Sequence, residues 1–192
     1  MPTIIHRPKF REKLFFFISG AIISTPFPIL VDSLANYFLL LDVSSFWATL
    51  ISVALLAPFM EEFAKAYPLF YRHGETEKSL VSLGFLTGLG FGIVEFLVYI
   101  FLYHVPVIVR IPALFFHATN TSIVSYGIAK NKPVRFYLIA VGFHFLNNFS
   151  ALFGNWWYAG GSIALLGSYT LAIYLNRKSL DKTIDHWVQE IS

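Results

Sequence analysis

Long apolar runs separated by short polar segments dominate the hydrophobic pattern of the chain. A membrane-spanning helix needs about 20 consecutive, mostly apolar residues. Six runs approach or exceed that length, and they predict spans near 14–31, 46–70, 80–102, 107–129, 134–153 and 158–175. The pattern therefore predicts an all-α, polytopic transmembrane helical bundle of about six spans.

The first run is the least regular, because Pro26 and Pro28 interrupt it. The apolar piece that follows, Leu34 to Leu41, is too short to span a bilayer and is expected to lie in the membrane interface. A basic start followed by an apolar run is also typical of a signal peptide. No cleavage site of the A-x-A type follows, so we interpret the run as a retained helix.

Composition supports the membrane assignment. The 192 residues are 56% hydrophobic and 13% charged, with a mean hydropathy of +0.64, and a soluble domain of this size could not bury so much apolar surface. The absence of cysteine excludes disulfides, thiol nucleophiles and zinc–cysteine sites. The net charge of +3 comes from short basic clusters between apolar runs, which does not indicate a nucleic-acid partner.

Basic residues predict the orientation, since cytoplasmic segments carry the excess of lysine and arginine. With the N-terminus inside, the inner segments receive all of the 14 basic residues except Lys65 and Arg110. The outer turns receive an aromatic belt of Trp47, Trp156, Trp157 and Tyr158. Both termini are therefore expected in the cytoplasm.

Three segments follow from this orientation: a basic cytoplasmic segment at 1–13, a transmembrane bundle at 14–176 and a cytoplasmic tail at 177–192. In the tail, an apolar helical face predicts an amphipathic helix along the inner membrane surface, and a frayed polar tail is the alternative. That face consists of Leu180, Ile184, Trp187 and Ile191.

Several ionisable and amide residues lie inside the predicted spans: Glu61, Glu62, Lys65, Glu95, His117, His144, Asn120, Asn147 and Asn148. An ionisable group at that depth costs about 3 kcal/mol and normally faces a polar interior. At 1.5 Å of rise per residue, Glu61, His117 and His144 all lie roughly 13–15 Å from one end of their spans, near the bilayer midplane. We therefore expect Glu61, Glu95, His117 and His144 to face one cavity.

Helical spacing adds detail to this expectation. Gly84, Gly88 and Gly92 form a small-residue stripe that permits close helix packing, and Glu95 falls on the same face. Lys65 lies one turn after Glu61, which predicts an ion pair between them.

Other readings remain open for single residues. A membrane histidine can simply bond across helices, the pair of Glu61 and Lys65 can serve only to neutralise charge, and the glycine stripe can serve only packing. Asn147 is interpreted as a bystander, and Tyr99 and Phe91 as lipid-facing or core residues.

Motifs limit the chemistry. The chain has no H-E-x-x-H helix, no G-x-S-x-G elbow and no cysteine, and residues 88–91 resemble G-x-G-D with Phe91 in place of the aspartate. Carboxylate and imidazole chemistry remains, in which a glutamate activates water and histidine or asparagine donors stabilise an oxyanion.

The ordered motifs resemble the PrsW family of intramembrane proteases. Residues 61–65 read E-E-x-x-K, residues 88–95 read G-x-G-F-x-x-x-E, His117 stands in the next span, and residues 144–148 read H-x-x-x-N. That family is related to the CAAX-prenyl endoproteases and bacteriocin-processing (CPBP) proteins, and the resemblance covers about residues 58–150. It implies a catalytic core there, in an integral protein of a prokaryotic cell membrane acting on membrane proteins or membrane-anchored peptides.

The resemblance also implies roles. Glu61 would be the water-activating base with Glu62 as its partner, His117 would assist the water, and His144 and Asn148 would stabilise the oxyanion. Lys65 and Glu95 would be supporting residues, and Arg110 is a further supporting candidate because it lies seven residues before His117 on the same helical face. PrsW members are usually classed as metalloproteases, with Glu62, Glu95, His117 and His144 as acceptable zinc ligands by type. CAAX-type relatives are thought to use glutamate without a catalytic metal, and the paired glutamates favour that metal-free mechanism.

Two departures and two alternatives complete the sequence reading. PrsW proteins are commonly longer, and a glycine usual downstream of the third motif is shifted here to Gly127. A non-catalytic membrane scaffold and a small cation or proton transporter are the non-enzyme alternatives. The absence of a visible inverted repeat disfavours transport, and the presence of both glutamates disfavours a scaffold.

Overall fold

A computed structural model describes residues 7–71 and 76–181, and these residues are almost entirely helical. The α-helices are α1 (Phe10–Ser24), α2 (Pro26–Leu40), α3 (Ser45–Thr49), α4 (Ala57–Ala66), α5 (Glu77–Phe101), α6 (Val107–Ala129), α7 (Pro133–Ala151) and α8 (Trp156–Lys178). A π-helical segment, Leu50–Leu56, joins α3 to α4, and a 3-10 turn, Tyr67–Tyr71, follows α4. The predicted all-α bundle is confirmed.

Among the described residues, five stretches are long and apolar enough to cross a membrane: Phe10–Leu40, Ser45–Tyr71, Glu77–Phe101, Val107–Ala129 and Trp156–Lys178. They match five of the predicted spans. The remaining predicted span corresponds to α7, whose hydropathy is lowered by Arg135, His144 and two asparagines. The chain is thus a polytopic membrane protein of five or six spans. The cytoplasmic placement of both termini stays a prediction.

The first span differs from its prediction. Pro26 has no backbone N–H and ends α1, but proline is tolerated in the first turn of a helix and α2 begins there at once. Thr25 between them keeps helical dihedrals (φ −65°, ψ −45°). Leu34 to Leu40 continue α2 within the long Phe10–Leu40 stretch and are not a separate helix, and their expected place in the membrane interface stays a prediction.

Glycine packing brings α5 against α6, as the stripe predicted. A Cβ added at Gly88 would overlap the carbonyl oxygen of His117 and lie 2.7 Å from the Cα of Ala118, and one at Gly92 would lie 2.5 Å from the carbonyl oxygen of Leu114. Only glycine allows this approach, which sets the distance of Glu95 on α5 from His117 on α6.

Gly88→Ala is expected to lower the stability of the folded protein by about 1–3 kcal/mol, since backbone atoms of α6 would have to move. Gly142→Ala on α7 is the matched control, because nothing lies within 4 Å of its added Cβ. That control is expected to be neutral or to stabilise by up to about 1 kcal/mol. Thermal unfolding of both variants in detergent measures the difference, and equal melting temperatures would contradict the packing argument.

The chain beyond α8 turns back onto the start of α5. The backbone N–H of Leu180 donates to Glu77 Oε2 at 3.0 Å, and Lys130 donates to the same oxygen at 2.7 Å. The predicted amphipathic tail falls mostly on residues 182–192, and the N-terminal segment partly on residues 1–6, both outside the described residues.

Candidate active site

Helix α4 presents two adjacent glutamates in different directions. Glu62 is fully buried, and its Oε1 accepts from Lys65 Nζ at 2.7 Å and bonds His144 Nδ1 at 2.8 Å. Glu61 points toward a cavity instead. The predicted pairing of Lys65 with Glu61 is therefore wrong. Helical spacing allows Lys65 to pair with a residue three or four positions earlier, and here it pairs with Glu62, whose carboxylate is fully buried.

His117 on α6 lies between a cation and an anion. Its Nδ1 is 3.0 Å from Lys65 Nζ, and its Nε2 is 2.6 Å from Glu95 Oε2. An ammonium has only hydrogens to offer, so Nδ1 carries the lone pair and Nε2–H donates to Glu95. The surrounding charges thus select one tautomer of this imidazole.

His144 on α7 has one ring nitrogen in a hydrogen bond with Glu62 and a second ring nitrogen that faces Glu61 without bonding it. Glu62 Oε1 already accepts from an ammonium, so His144 Nδ1–H donates to it and Nε2 carries the lone pair. That Nε2 lies 3.8 Å from Glu61 Oε2, too far for a hydrogen bond. Glu61 Oε2 is buried and has no hydrogen-bond partner among the described residues. Two acceptors that face each other across this gap form a place for a proton or a cation.

These groups share one cavity of about 450 Å³. Its polar lining includes Glu61, Glu95, Arg110, His117, His144, Asn147 and Asn148. The prediction that four ionisable residues from α4, α5, α6 and α7 face one cavity is confirmed. Their catalytic roles stay predictions. Glu62 and Lys65 lie behind this lining, in contact with the imidazoles.

Arginine and aromatic groups support Glu95. Arg110 Nη2 lies 3.0 Å from Glu95 Oε2, and its guanidinium lies 3.6 Å from the ring centroid of Tyr99. Lys65 Nζ lies 4.6 Å from the ring centroid of Phe91, which contacts His117. Phe91 and Tyr99 line the cavity, a role that the sequence reading missed. Their four-residue spacing around Glu95 on α5 was the available signal.

The asparagines divide into two groups. Asn148 Nδ2 donates to the carbonyl oxygen of Val53 at 3.0 Å, and Asn147 Nδ2 donates to Asn148 Oδ1 at 3.1 Å. The interpretation of Asn147 as a bystander is therefore wrong, because it orients its neighbour. Asn120 bonds Ser168 and the Ala140 carbonyl, away from the cavity lining.

Within the part of the chain that the structure describes, three residues could hold a metal ion. One ligand atom each from Glu61, His117 and His144 lies within 4.8 Å of the others. Two histidines and one glutamate, with a further position left for water or substrate, are a known donor set of catalytic zinc. Glu62 and Glu95, which the resemblance offered as ligands, instead bond His144 Nδ1 and His117 Nε2, as carboxylates behind metal-bound histidines bond a ring nitrogen. The donor set and the orphaned buried oxygen of Glu61 fit a divalent metal.

Comparison with known protein families gave a match over most of the chain. A family model described as PrsW family intramembrane metalloprotease matches residues 10–175, most of the chain and all of the cavity. Searches of curated proteins and of solved structures found no significant match.

Proposed function

Because the chain belongs to the PrsW family of intramembrane metalloproteases, we propose that it hydrolyses peptide bonds of membrane-associated substrates in the cavity lined by Glu61, His117 and His144. The family assignment confirms the prediction of a membrane-embedded protease. It gives no support to the scaffold and transporter alternatives. The link to CPBP proteins rests on the motif resemblance alone.

The observation that carries the proposal is the state of Glu61. Burying a carboxylate oxygen without a hydrogen-bond partner costs free energy, and natural proteins keep such groups mainly at functional sites. Glu61 Oε2 faces the lone pair of His144 Nε2 across 3.8 Å inside the cavity of about 450 Å³. Water, substrate or a cation entering this gap would meet two basic atoms at once.

In the first form of the mechanism, Glu61, His117 and His144 would hold a divalent metal, and zinc is the first candidate by donor type. Such an ion supplies Lewis-acid polarisation of a carbonyl group and of an attacking water. With their other nitrogens donating to carboxylates, His144 would have Nε2 and His117 would have Nδ1 available for such an ion. Lys65 would give up its contact with His117 Nδ1 and keep its bond to Glu62.

The remaining residues hold the imidazoles in place. Glu62 fixes the ring orientation of His144, and Glu95 fixes that of His117. Arg110 in turn bonds Glu95 and stacks on Tyr99, so the carboxylate cannot rotate away. Such supporting partners typically change metal affinity or activity by about 10–100-fold when they are removed.

The second form of the mechanism is free of metal and is favoured by one observation. Both ring nitrogens of His117 already have protein partners, and the ammonium of Lys65 occupies the Nδ1 side. In this form Glu61 Oε2 takes a proton from the attacking water, and donors from the cavity wall stabilise the oxyanion. This is the mechanism that the paired glutamates favour in the sequence, and the family description agrees better with the first form.

Metal analysis of the pure protein separates the two forms. The metal-dependent form predicts stoichiometric divalent metal, loss of cleavage with a chelator and its return when zinc is added back. His144→Gln is expected to lower the metal content, whereas His104→Gln, at an exposed position outside the cavity, is the matched control. Metal-free protein that cleaves in the presence of chelator would establish the second form. Failure of the wild-type protein to cleave any of a broad panel of membrane-embedded substrates would contradict the protease proposal itself.

A further inference from the structure

The π-helical segment before α4 leaves one carbonyl without its helical donor. In this segment the backbone N–H of Ala57 donates to the carbonyl of Ser52, five positions earlier. The next donor in the same register is residue 58, which is Pro58 and has no N–H. The carbonyl of Val53 is therefore deprived of its expected partner. A backbone carbonyl at membrane depth needs another donor, because lipid supplies none.

Asn148 supplies that donor from another helix. Its Nδ2 donates to the Val53 carbonyl at 3.0 Å, and Asn147 Nδ2 bonds its Oδ1 at 3.1 Å, which fixes which way the amide faces. Asn148 lies one turn after His144 on α7, and Pro58 lies one turn before Glu61 and Glu62 on α4. One hydrogen bond thus joins the helix that carries the glutamates to the helix that carries His144.

We propose that Asn148 is a positioning residue, which donates to the Val53 carbonyl left open by Pro58 and so holds Glu61 opposite His144. The proposal rests on the proposed function, since the gap between Glu61 and His144 is where that function places the reaction. It assigns Asn148 a role different from the oxyanion donor that the motif resemblance implies. π-Helical turns inside α-helices occur frequently at functional sites, and here the turn creates the acceptor that aligns the site.

Pro58→Ala provides a specific test, because it restores a backbone N–H in the register of the Val53 carbonyl. With Pro58 present, Asn148→Ala is expected to lower kcat per folded protein by about 10²-fold, the scale of a misplacement of about 1 Å. In the Pro58→Ala background the same substitution is expected to cost about tenfold less, since the new N–H replaces the lost donor. An equal kcat loss in both backgrounds would overturn the proposal.

Thermal unfolding in detergent repeats this comparison without a need for activity. The drop in melting temperature caused by Asn148→Ala is expected to be smaller in the Pro58→Ala background. Asn120→Ala is the matched control: it removes a buried asparagine that bonds the Ala140 carbonyl, so its effect should not depend on residue 58. An equal drop in melting temperature for Asn148→Ala in the two backgrounds would overturn the proposal that Asn148 replaces the missing donor to the Val53 carbonyl. This outcome can be read even if the wild-type protein cleaves no substrate. If Asn148→Ala alone does not fold, recovery of folded protein in the double variant supports the proposal, and no recovery overturns it.

Discussion

Glu61→Gln is expected to lower the rate of cleavage by about 10²–10⁴-fold, the usual cost of losing a general base. Glutamine keeps the size of the side chain but loses the negative charge. It can neither take a proton from water nor serve as a carboxylate ligand, so the loss is expected in both forms of the mechanism. The protein is expected to remain folded, because Glu61 Oε2 has no hydrogen bond to lose. Cleavage of a membrane-embedded substrate, normalised to folded protein, measures the effect.

Glu77→Gln is the matched control for this substitution. Glu77 is also buried, but it lies at the start of α5, where it bonds Lys130 and the backbone of Leu180 rather than lining the cavity. Its replacement is expected to affect stability and to leave the rate per folded molecule close to that of the wild type. Cleavage by Glu61→Gln at the wild-type rate would exclude Glu61 from the chemistry.

The spans and the shared cavity could be predicted from the sequence because both follow from the cost of polarity in lipid. Apolar length alone locates α5, α6 and α8 to within a few residues. Glu61, His117 and His144 meet because a charged or polar group at the midplane must find a polar interior. The glycine stripe added the direction, since α6 is the helix that packs closely against Gly84, Gly88 and Gly92.

The partners inside the cavity could not be predicted in the same way. Spacing places Lys65 within reach of both Glu61 and Glu62, and only the tertiary position of His144 shows that Glu62 is the enclosed one. The same limit applies to the candidate metal ligands. By residue type, Glu61, Glu62 and Glu95 are all acceptable metal ligands. Only the hydrogen bonds show that Glu62 and Glu95 instead bond His144 and His117.

Irregular backbone was the other source of difference. The π-helical segment Leu50–Leu56 has an ordinary apolar sequence, and Pro58 at its end is the one local sign of a change in register. In α2, the proline pair in the first turn interrupts the apolar pattern without ending the helical path. In both places proline lies close to a boundary between two helical segments, and the sequence does not show the backbone conformation on either side of that boundary.

Lys65→Met is expected to destabilise the protein by about 3–5 kcal/mol, the cost of removing one partner from a buried ion pair. Lys65 has no exposed surface and bonds Glu62 Oε1 at 2.7 Å, so its loss leaves a carboxylate without a counter-charge inside the bundle. Methionine has a similar length and preserves the contact with Phe91, which makes charge the main difference. The yield of folded, monodisperse protein and its melting temperature in detergent measure the effect.

The double variant Glu62→Gln/Lys65→Met tests whether charge is the cause. A neutral glutamine needs no counter-charge, and its side-chain oxygen can still accept from His144 Nδ1, so most of the lost stability is expected to return. Lys65→Arg is a second comparison, because it keeps the charge but changes the shape in a site with no free space around the ammonium. If Lys65→Met is as stable as the wild type, or if the double variant is no more stable than Lys65→Met, the ion pair is not what holds α4 against α6 and α7. If the double variant regains the lost stability, Lys65 serves to neutralise the charge of Glu62 at membrane depth. Glu62 in turn bonds His144 Nδ1 and so orients the ring with Nε2 toward Glu61.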